Sequence, residues 1–176
     1  MAKTMTKHSH PVFQGKIVTV SVESAELPDG RRCEIEVVRH PGGAAVVALD
    51  SAGRVCLIRQ YRPAMQDWMW EIPAGKLEPG EAPLSTAQRE LEEEAGLVAR
   101  RWSELGTMVS SPGVFTEVVH LFFARGLEYV ASRTEEHEII EVHWLALDEA
   151  LTRAARGDIK DAKTVIALFR AQLQRN

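Results

Sequence analysis

Gly75-Lys-Leu-Glu-Pro-Gly-Glu-Ala-Pro-Leu-Ser-Thr-Ala-Gln-Arg-Glu-Leu-Glu-Glu-Glu-Ala-Gly-Leu97 is the stretch from which the rest of the chain can be read. Within it, Leu84, Ala87, Leu91 and Ala95 recur at three- and four-residue intervals, the spacing of one helical face. Pro83 suits a first helical turn, and Gly96 followed by Leu97 suits a left-handed cap with its apolar contact, so the spacing predicts a helix over 83–95. With about 100° per residue and Leu91 set at zero, Glu94 falls at about −60°, Glu90 at about −100° and Glu93 at about −160°, while Glu92 points away at about +100°. Three carboxylates thus share one side. Like charges so placed repel by tenths of a kcal/mol per exposed pair, and by more when partly desolvated. A hard divalent cation offsets that repulsion, and Glu90 and Glu94, at i and i+4, form an oxygen-only pair suited to Mg²⁺. Arg89 lies within i+4 reach of Glu93 and is placed to hold that carboxylate.

Taken alone, a run of glutamates reads as a solvated helix face. The flanking residues change the reading. Gly75, Glu81, Arg89, Glu90, Leu91, Glu93, Glu94, Gly96 and Leu97 fill every fixed place of the pattern Gly-x5-Glu-x7-Arg-Glu-aliphatic-x-Glu-Glu-x-Gly-aliphatic. This resembles the Nudix box, and ordinary residue frequencies give a chance match on the order of 10⁻⁷ over the chain. The resemblance implies an α/β/α-type sandwich and hydrolysis of nucleoside diphosphates linked to another moiety. It implies that Glu90 and Glu94 ligate divalent cations, with Glu93 a ligand or a supporting group, and that the carbonyl of Ala74 is a further ligand. It makes Arg89 an orienter of the carboxylates, Gly75 and Gly96 structural, and Glu81 a support for the loop. The cofactor implied is Mg²⁺ or Mn²⁺, as two or three ions. Such cations neutralise diphosphate oxygens and ready a water for attack on phosphorus, with a separate general base still needed.

Working outward, Gly15–Val22 alternates and is β-branched, Leu27-Pro-Asp-Gly30 is a turn, and Arg32–His40 alternates again with Cys33, Ile35 and Val37 on one face, so a hairpin is expected. Met1–Pro11 reads as a loose tail. A strand such as Lys16–Val22 needs a partner strand, from a second subunit or from its own chain. Pro41-Gly-Gly43 marks a boundary, giving residues 1–40 as a tail and hairpin and 41–176 as the main domain. Strands are expected at Ala44–Leu49, Val55–Tyr61, Trp68–Ile72, Trp102–Val109, Val118–Ala124 and Glu141–Leu147, and further helices at Asp148–Arg156 and Asp161–Gln174. The fold class is therefore α+β, a Nudix-like α/β/α sandwich with a mixed sheet, plus an N-terminal antiparallel β appendage.

At 176 residues the chain suits one domain with an appendage. A net charge of −4 argues against nonspecific binding to nucleic acid or anionic membrane. Met1–Gln14 is polar, and nothing later reaches the apolar length that spans a bilayer, so a cytoplasmic location is expected. Cys33 and Cys56 read as reduced, buried thiols. The six histidines form no metal pattern, and neither a P-loop nor a Ser/His/Asp order is present.

Beyond the box, Arg59-Gln-Tyr-Arg62, Trp70-Glu-Ile-Pro-Ala-Gly75, Ser111-Pro-Gly113 with Thr116-Glu117, and Glu136-His-Glu138 are similar to the ADP-ribose pyrophosphatase branch of that family. The resemblance implies cleavage of ADP-ribose to AMP and ribose 5-phosphate. It makes Glu136, or Glu138, the residue that deprotonates or positions the attacking water. Arg62 would hold a phosphate or the terminal ribose, a task its planar fork suits, and Arg39, Arg59, Pro112 and Gly113 would also contact substrate. Trp70 reads as core, Trp68 stays open between core and site, and Phe13 would stack on a nucleobase. The resemblance also implies a homodimer whose N-terminal strands exchange between subunits. Two other functions share these features: a hydrolase of another substrate such as GDP-mannose, a further NDP-sugar, FAD or an oxidised nucleotide, and a sensor that binds a nucleotide without cutting it. The complete set of box carboxylates speaks against the sensor.

Overall fold

The computed structural model describes residues 6–131 and 139–175. The chain folds into two compact units, residues 1–42 with 109–118, and 43–108 with 119–176.

The first unit is a three-stranded antiparallel sheet in the order β1-β2-β3, from β1 (Thr6–Gln14), β2 (Thr19–Glu26) and β3 (Arg32–Arg39). Leu27-Pro-Asp-Gly30 turns β2 into β3: Gly30, at φ 84°, donates its N–H to Leu27 O at 2.9 Å. Two expectations need correction. Thr6–Pro11 is not a loose tail, because it pairs with β2 along Thr6↔Ala25 to Pro11↔Ser21. Nor does one strand run from Gly15 to Val22, because a turn closed by Gly15 N to Val18 O separates β1 from β2. β2 is thus the central strand, and both of its edges are covered by its own chain. The segment Ser111–Thr116 belongs to this unit and is tied to β3 by Val38 N to Val114 O at 2.7 Å and Thr116 N to Val38 O at 2.9 Å.

The second unit is a mixed sheet in the order β10-β5-β4-β9-β8, with β6 paired to β5 and β7 to β4. Its strands are β4 (Gly43–Leu49), β5 (Arg54–Arg62), β6 (Asp67–Glu71), β7 (Ala74–Lys76), β8 (Leu97–Val109), β9 (Val118–Tyr129) and β10 (Ile140–Ala146). The β4/β9 pair is parallel, while β4/β7, β5/β6 and β5/β10 are antiparallel. Helix α1 (Pro83–Ala95) has the bounds that its punctuation implies. Helices α2 (Leu147–Arg156) and α3 (Ala162–Leu173) differ from expectation by a residue or so. The three-residue β7 went unread in the sequence.

The sheet is buried on both faces, which explains why β4 is apolar throughout. Ala45, Val47 and Leu49 face one core with Leu57, Phe123, Leu147, Ala150 and Leu168, under α2 and α3. Ala44, Val46 and Ala48 face the other with Cys56, Phe122, Ala87 and Leu91, under α1. Strand alternation therefore decides which helix layer each side chain meets. Burial pushes the Cys56 thiol up to about 12, with the nearby Glu94 charge acting the same way, so it stays protonated and inert. Among the described residues, no helix is long and apolar enough to cross a membrane.

Candidate active site

Helix α1 places its carboxylates by the same periodicity that packs it. Pro83 opens the helix, and Gly96, at φ 62°, closes it by donating its N–H to Leu91 O and Glu92 O. The buried face is Thr86, Ala87, Glu90, Leu91, Glu94 and Ala95, so two glutamates lie inside the apolar stripe. Fully burying Leu91 contributes on the order of 2 kcal/mol, whereas an i,i+4 like-charge pair costs tenths, so packing holds the helix against the repulsion.

Strand β7 supplies the floor. It pairs with β4 along Ala44↔Gly75 and Ala45↔Ala74. Ala74 donates its N–H to Glu94 Oε2 at 2.8 Å. Gly75 approaches Glu90 so closely that a Cβ at that position would lie 1.8 Å from Glu90 Oε1, so any side chain there would displace the Glu90 carboxylate. Arg89 binds three carboxylates at once. Its Nε and Nη2 donate to Glu81 Oε1 and Oε2 at 3.1 and 3.2 Å, and its Nη1 to Glu90 Oε1 at 2.6 Å and Glu93 Oε2 at 2.9 Å. Those bonds from Arg89 hold the Glu81 carboxyl down to about 2 and push the Arg89 guanidinium up. Glu81 also accepts the Glu78 N–H, which closes the loop before the helix.

Glu81, Glu90 and Glu93 thus gather around a single guanidinium, and Glu94, one turn beyond Glu90, is held by the Ala74 N–H. The donor set is oxygen-only, and Glu90 and Glu94 are 9% and 3% exposed, a chemistry that fits a hard cation. Among the described residues no three side chains already converge as a closed metal cage. Mg²⁺ asks for none, because it binds through a few carboxylates and keeps waters and substrate phosphates as its other ligands.

Arg62 lies on the same face of the sheet. Cys56, Ile58, Gln60 and Arg62 alternate in register along β5, and Cys56 packs beside Leu91 of α1. The Arg62 fork is bidentate to Glu71, Nε to Oε1 at 2.7 Å and Nη2 to Oε2 at 2.8 Å. Burial raises the Glu71 carboxyl, but the Arg62 bonds and the Lys163 charge outweigh it and bring it down to about 2. Glu94 is among the charges that favour the charged form of Arg62.

Arg59 is on the opposite face. It shares that side with Leu57, lies 5.2 Å over Trp68 and 6.0 Å over Trp70, and its Nη1 is 3.7 Å from Glu141. The structure does not bring it to Glu90 and Glu94. Trp70 packs against the core under α2, where Arg153 lies 5.7 Å over its ring. Within the first unit, Arg39 is held by the buried Glu23, with Nη2 at 2.6 and 2.8 Å from its two oxygens, and Pro112 and Gly113 lie in an exposed turn closed by Val114 N to Ser111 O. Phe13, on β1, is 57% exposed. Glu136 and Glu138 lie outside the described residues.

Glu71, Asp161, Lys163 and Thr164 were given no role from the sequence. Signals existed for three of them: Glu71 is an acidic residue between the apolar Trp70 and Ile72 of an expected strand, and Asp161 stands three residues before Thr164 at a helix start, an N-cap arrangement.

A family model described as NUDIX domain matches residues 39–168. The chain is 39% identical to an ADP-ribose pyrophosphatase of Bacillus subtilis (strain 168), covering 98% of this chain and 93% of that one. It is 41% identical to a methanol dehydrogenase activator of Bacillus methanolicus, covering 96% and 92%. A solved structure described as an ADP compounds hydrolase superposes with a TM-score of 0.83 at 23% identity, covering 99% of this chain and 95% of that one, so it shares the fold.

Proposed function

The chain belongs to the Nudix family, whose hydrolases use divalent metal ions, and from that premise we propose that it hydrolyses the diphosphate bond of ADP-ribose to give AMP and ribose 5-phosphate. The observation that carries this reading is the pair of buried carboxylates, Glu90 and Glu94, held against Gly75 and Ala74 by packing and by Arg89. Glu90 and Glu94, with Glu93 and the Ala74 carbonyl beside them, would hold Mg²⁺, as two or three ions, with Mn²⁺ able to replace it. Bound there, divalent cations neutralise diphosphate oxygens and make water a better nucleophile. Arg89 keeps Glu90 and Glu93 aimed, Arg62 presents its guanidinium to the phosphate oxygens, and Arg39, Pro112 and Gly113 contact the remainder of the substrate. Glu136, with Glu138 as the alternative, takes the proton as the water oxygen bonds to phosphorus and the bond from phosphorus to the bridging oxygen breaks.

Residues 1–40 act in this proposal as a dimerisation appendage, and 41–176 as the hydrolase domain of a cytoplasmic homodimer. Val12, Phe13 and Ile17 are each more than half exposed, and a second subunit would cover them. The test is a panel of ADP-ribose, GDP-mannose, FAD and oxidised nucleotides incubated with Mg²⁺ or Mn²⁺, with products resolved by chromatography. AMP and ribose 5-phosphate released fastest from ADP-ribose support the reading. Faster cleavage of another compound replaces the substrate, and tight binding of ADP-ribose without cleavage replaces the enzyme with a sensor.

A further inference from the structure

Arg62 sits at the end of β5, yet its guanidinium is not left to solvent. Its Nε and Nη2 edge is spent on Glu71, a carboxylate 3% exposed at the end of β6. Glu71 is in turn held from behind, because Lys163 Nζ donates to its Oε2. Lys163 is 3.0 Å from Asp161 Oδ2, and the same Oδ2 accepts from the N–H and the hydroxyl of Thr164 at 3.1 and 2.5 Å. Thr164 Oγ1 then accepts the N–H of Ile72 at 2.9 Å, the residue that follows Glu71. The bonds form a closed circuit that ties the end of β6 to the first turn of α3. Its two carboxylates and two cations balance.

A circuit of this kind fixes a guanidinium more tightly than a surface ion pair does. An arginine tethered along one edge has already lost most of its rotamer freedom, so little more is lost when an anion meets the other edge. The Arg62 side chain remains 37% exposed, with Nη1 as the edge that Glu71 does not occupy, on the α1 face of the sheet. Lys163 cannot serve there itself, since its ammonium is enclosed between Glu71 and Asp161.

We propose that Glu71 and Lys163 are positioning residues, whose task is to hold Arg62 with its Nη1 edge turned to the diphosphate of the substrate. This rests on the hydrolase reading above. Neither residue touches substrate; both act through Arg62, which makes the effect separable from a merely structural one.

The test is a double-mutant cycle on the full chain, with Glu71→Gln, Lys163→Gln and Arg62→Ala measured singly and in pairs for kcat, KM and thermal stability. Glu71→Gln and Lys163→Gln should each raise KM for ADP-ribose about 10- to 100-fold, the range of a lost charge-assisted bond, with a smaller change in kcat. On the Arg62→Ala background neither should raise KM further, because the group they position is gone. Lys163→Arg, which keeps the charge, should recover most of the loss. Lys163→Gln leaves β6 untouched and decides the matter if Glu71→Gln does not fold. Equal losses on both backgrounds, or a KM unchanged in both single variants, overturn the proposal. If the wild-type chain prefers another nucleoside diphosphate derivative, the substrate reading alone falls, and the same cycle run on that compound still judges these two residues. If it cleaves none of the panel, both fall.

Discussion

Replacing Gly75 by alanine tests the proposed metal site without touching any charged residue. The backbone tolerates the change, since Gly75 is not among the glycines with positive φ. The added Cβ would meet Glu90 Oε1 at 1.8 Å and Cδ at 2.2 Å, where real contacts are not found below 3.0 Å and become ordinary at 3.4 Å. The Glu90 carboxylate must therefore retreat by about 1.2–1.6 Å, which a flexible side chain can do and a Mg²⁺–oxygen bond of about 2.1 Å cannot follow. Alanine recovers about 0.4–1 kcal/mol through the unfolded chain, against about 0.5–1.5 for an off-rotamer Glu90 and part of its bond to Arg89. The net cost is about 1–2 kcal/mol, or a melting temperature lower by about 2–8 °C. Activity should suffer far more. A displacement of this size at a reacting centre costs about 100-fold, and the Mg²⁺ concentration needed for half-activation should rise by about 10-fold or more. The assay is the initial rate of AMP release from ADP-ribose across a Mg²⁺ titration, with thermal melts alongside. Wild-type rates and wild-type Mg²⁺ dependence in Gly75→Ala would refute the assignment of Glu90 as a ligand held by its contact with β7.

Glu94→Gln should lower kcat by at least about 100-fold while the melt stays cooperative, and an unchanged rate removes Glu94 from the ligand set. Glu136→Gln should slow the single-turnover rate about 10²- to 10⁴-fold with Mg²⁺ activation unaltered; if Glu138→Gln alone does so, the base is Glu138. Acid stability follows from Glu71. Its carboxyl ionises at about 2 in the folded chain against 4.5 ordinarily, so its contribution of about 3 kcal/mol is present above about pH 5 and is lost as pH falls from about 4.5 toward 2. Between pH 6 and pH 3, urea unfolding should show a loss about 2 kcal/mol larger in the wild type than in Glu71→Gln, and equal losses in both would reject it.

What the sequence disclosed and what it withheld divide along one physical line. Helix α1 was legible to the residue because its signals are local: Pro83 at one end, Gly96 at the other, and an apolar stripe between them. The angular placement of Glu90, Glu93 and Glu94 followed from the same register, and so did the reach of Arg89 to Glu93. β1 was not legible, because Thr6–Gln14 is polar and interrupted by Pro11, and it becomes a strand only through the hydrogen bonds that β2 offers it. β7 is three residues long, too short for any period, and it exists because β4 has an edge to pair. The opposite placement of Arg59 and Arg62 was written in their odd spacing along one strand, since an odd step reverses the face. That spacing could have been read. The second partner of Glu71 could not, because Lys163 lies 92 residues beyond it and only the packing of α3 brings its ammonium to that carboxylate. A side chain's layer is thus fixed by its own neighbours in sequence, while the direction in which its charge is held is fixed by residues that only the fold assembles. For this reason the carboxylates proposed as ligands can be named from one helix, whereas the Arg62 guanidinium is held by a circuit that takes in β6 and α3.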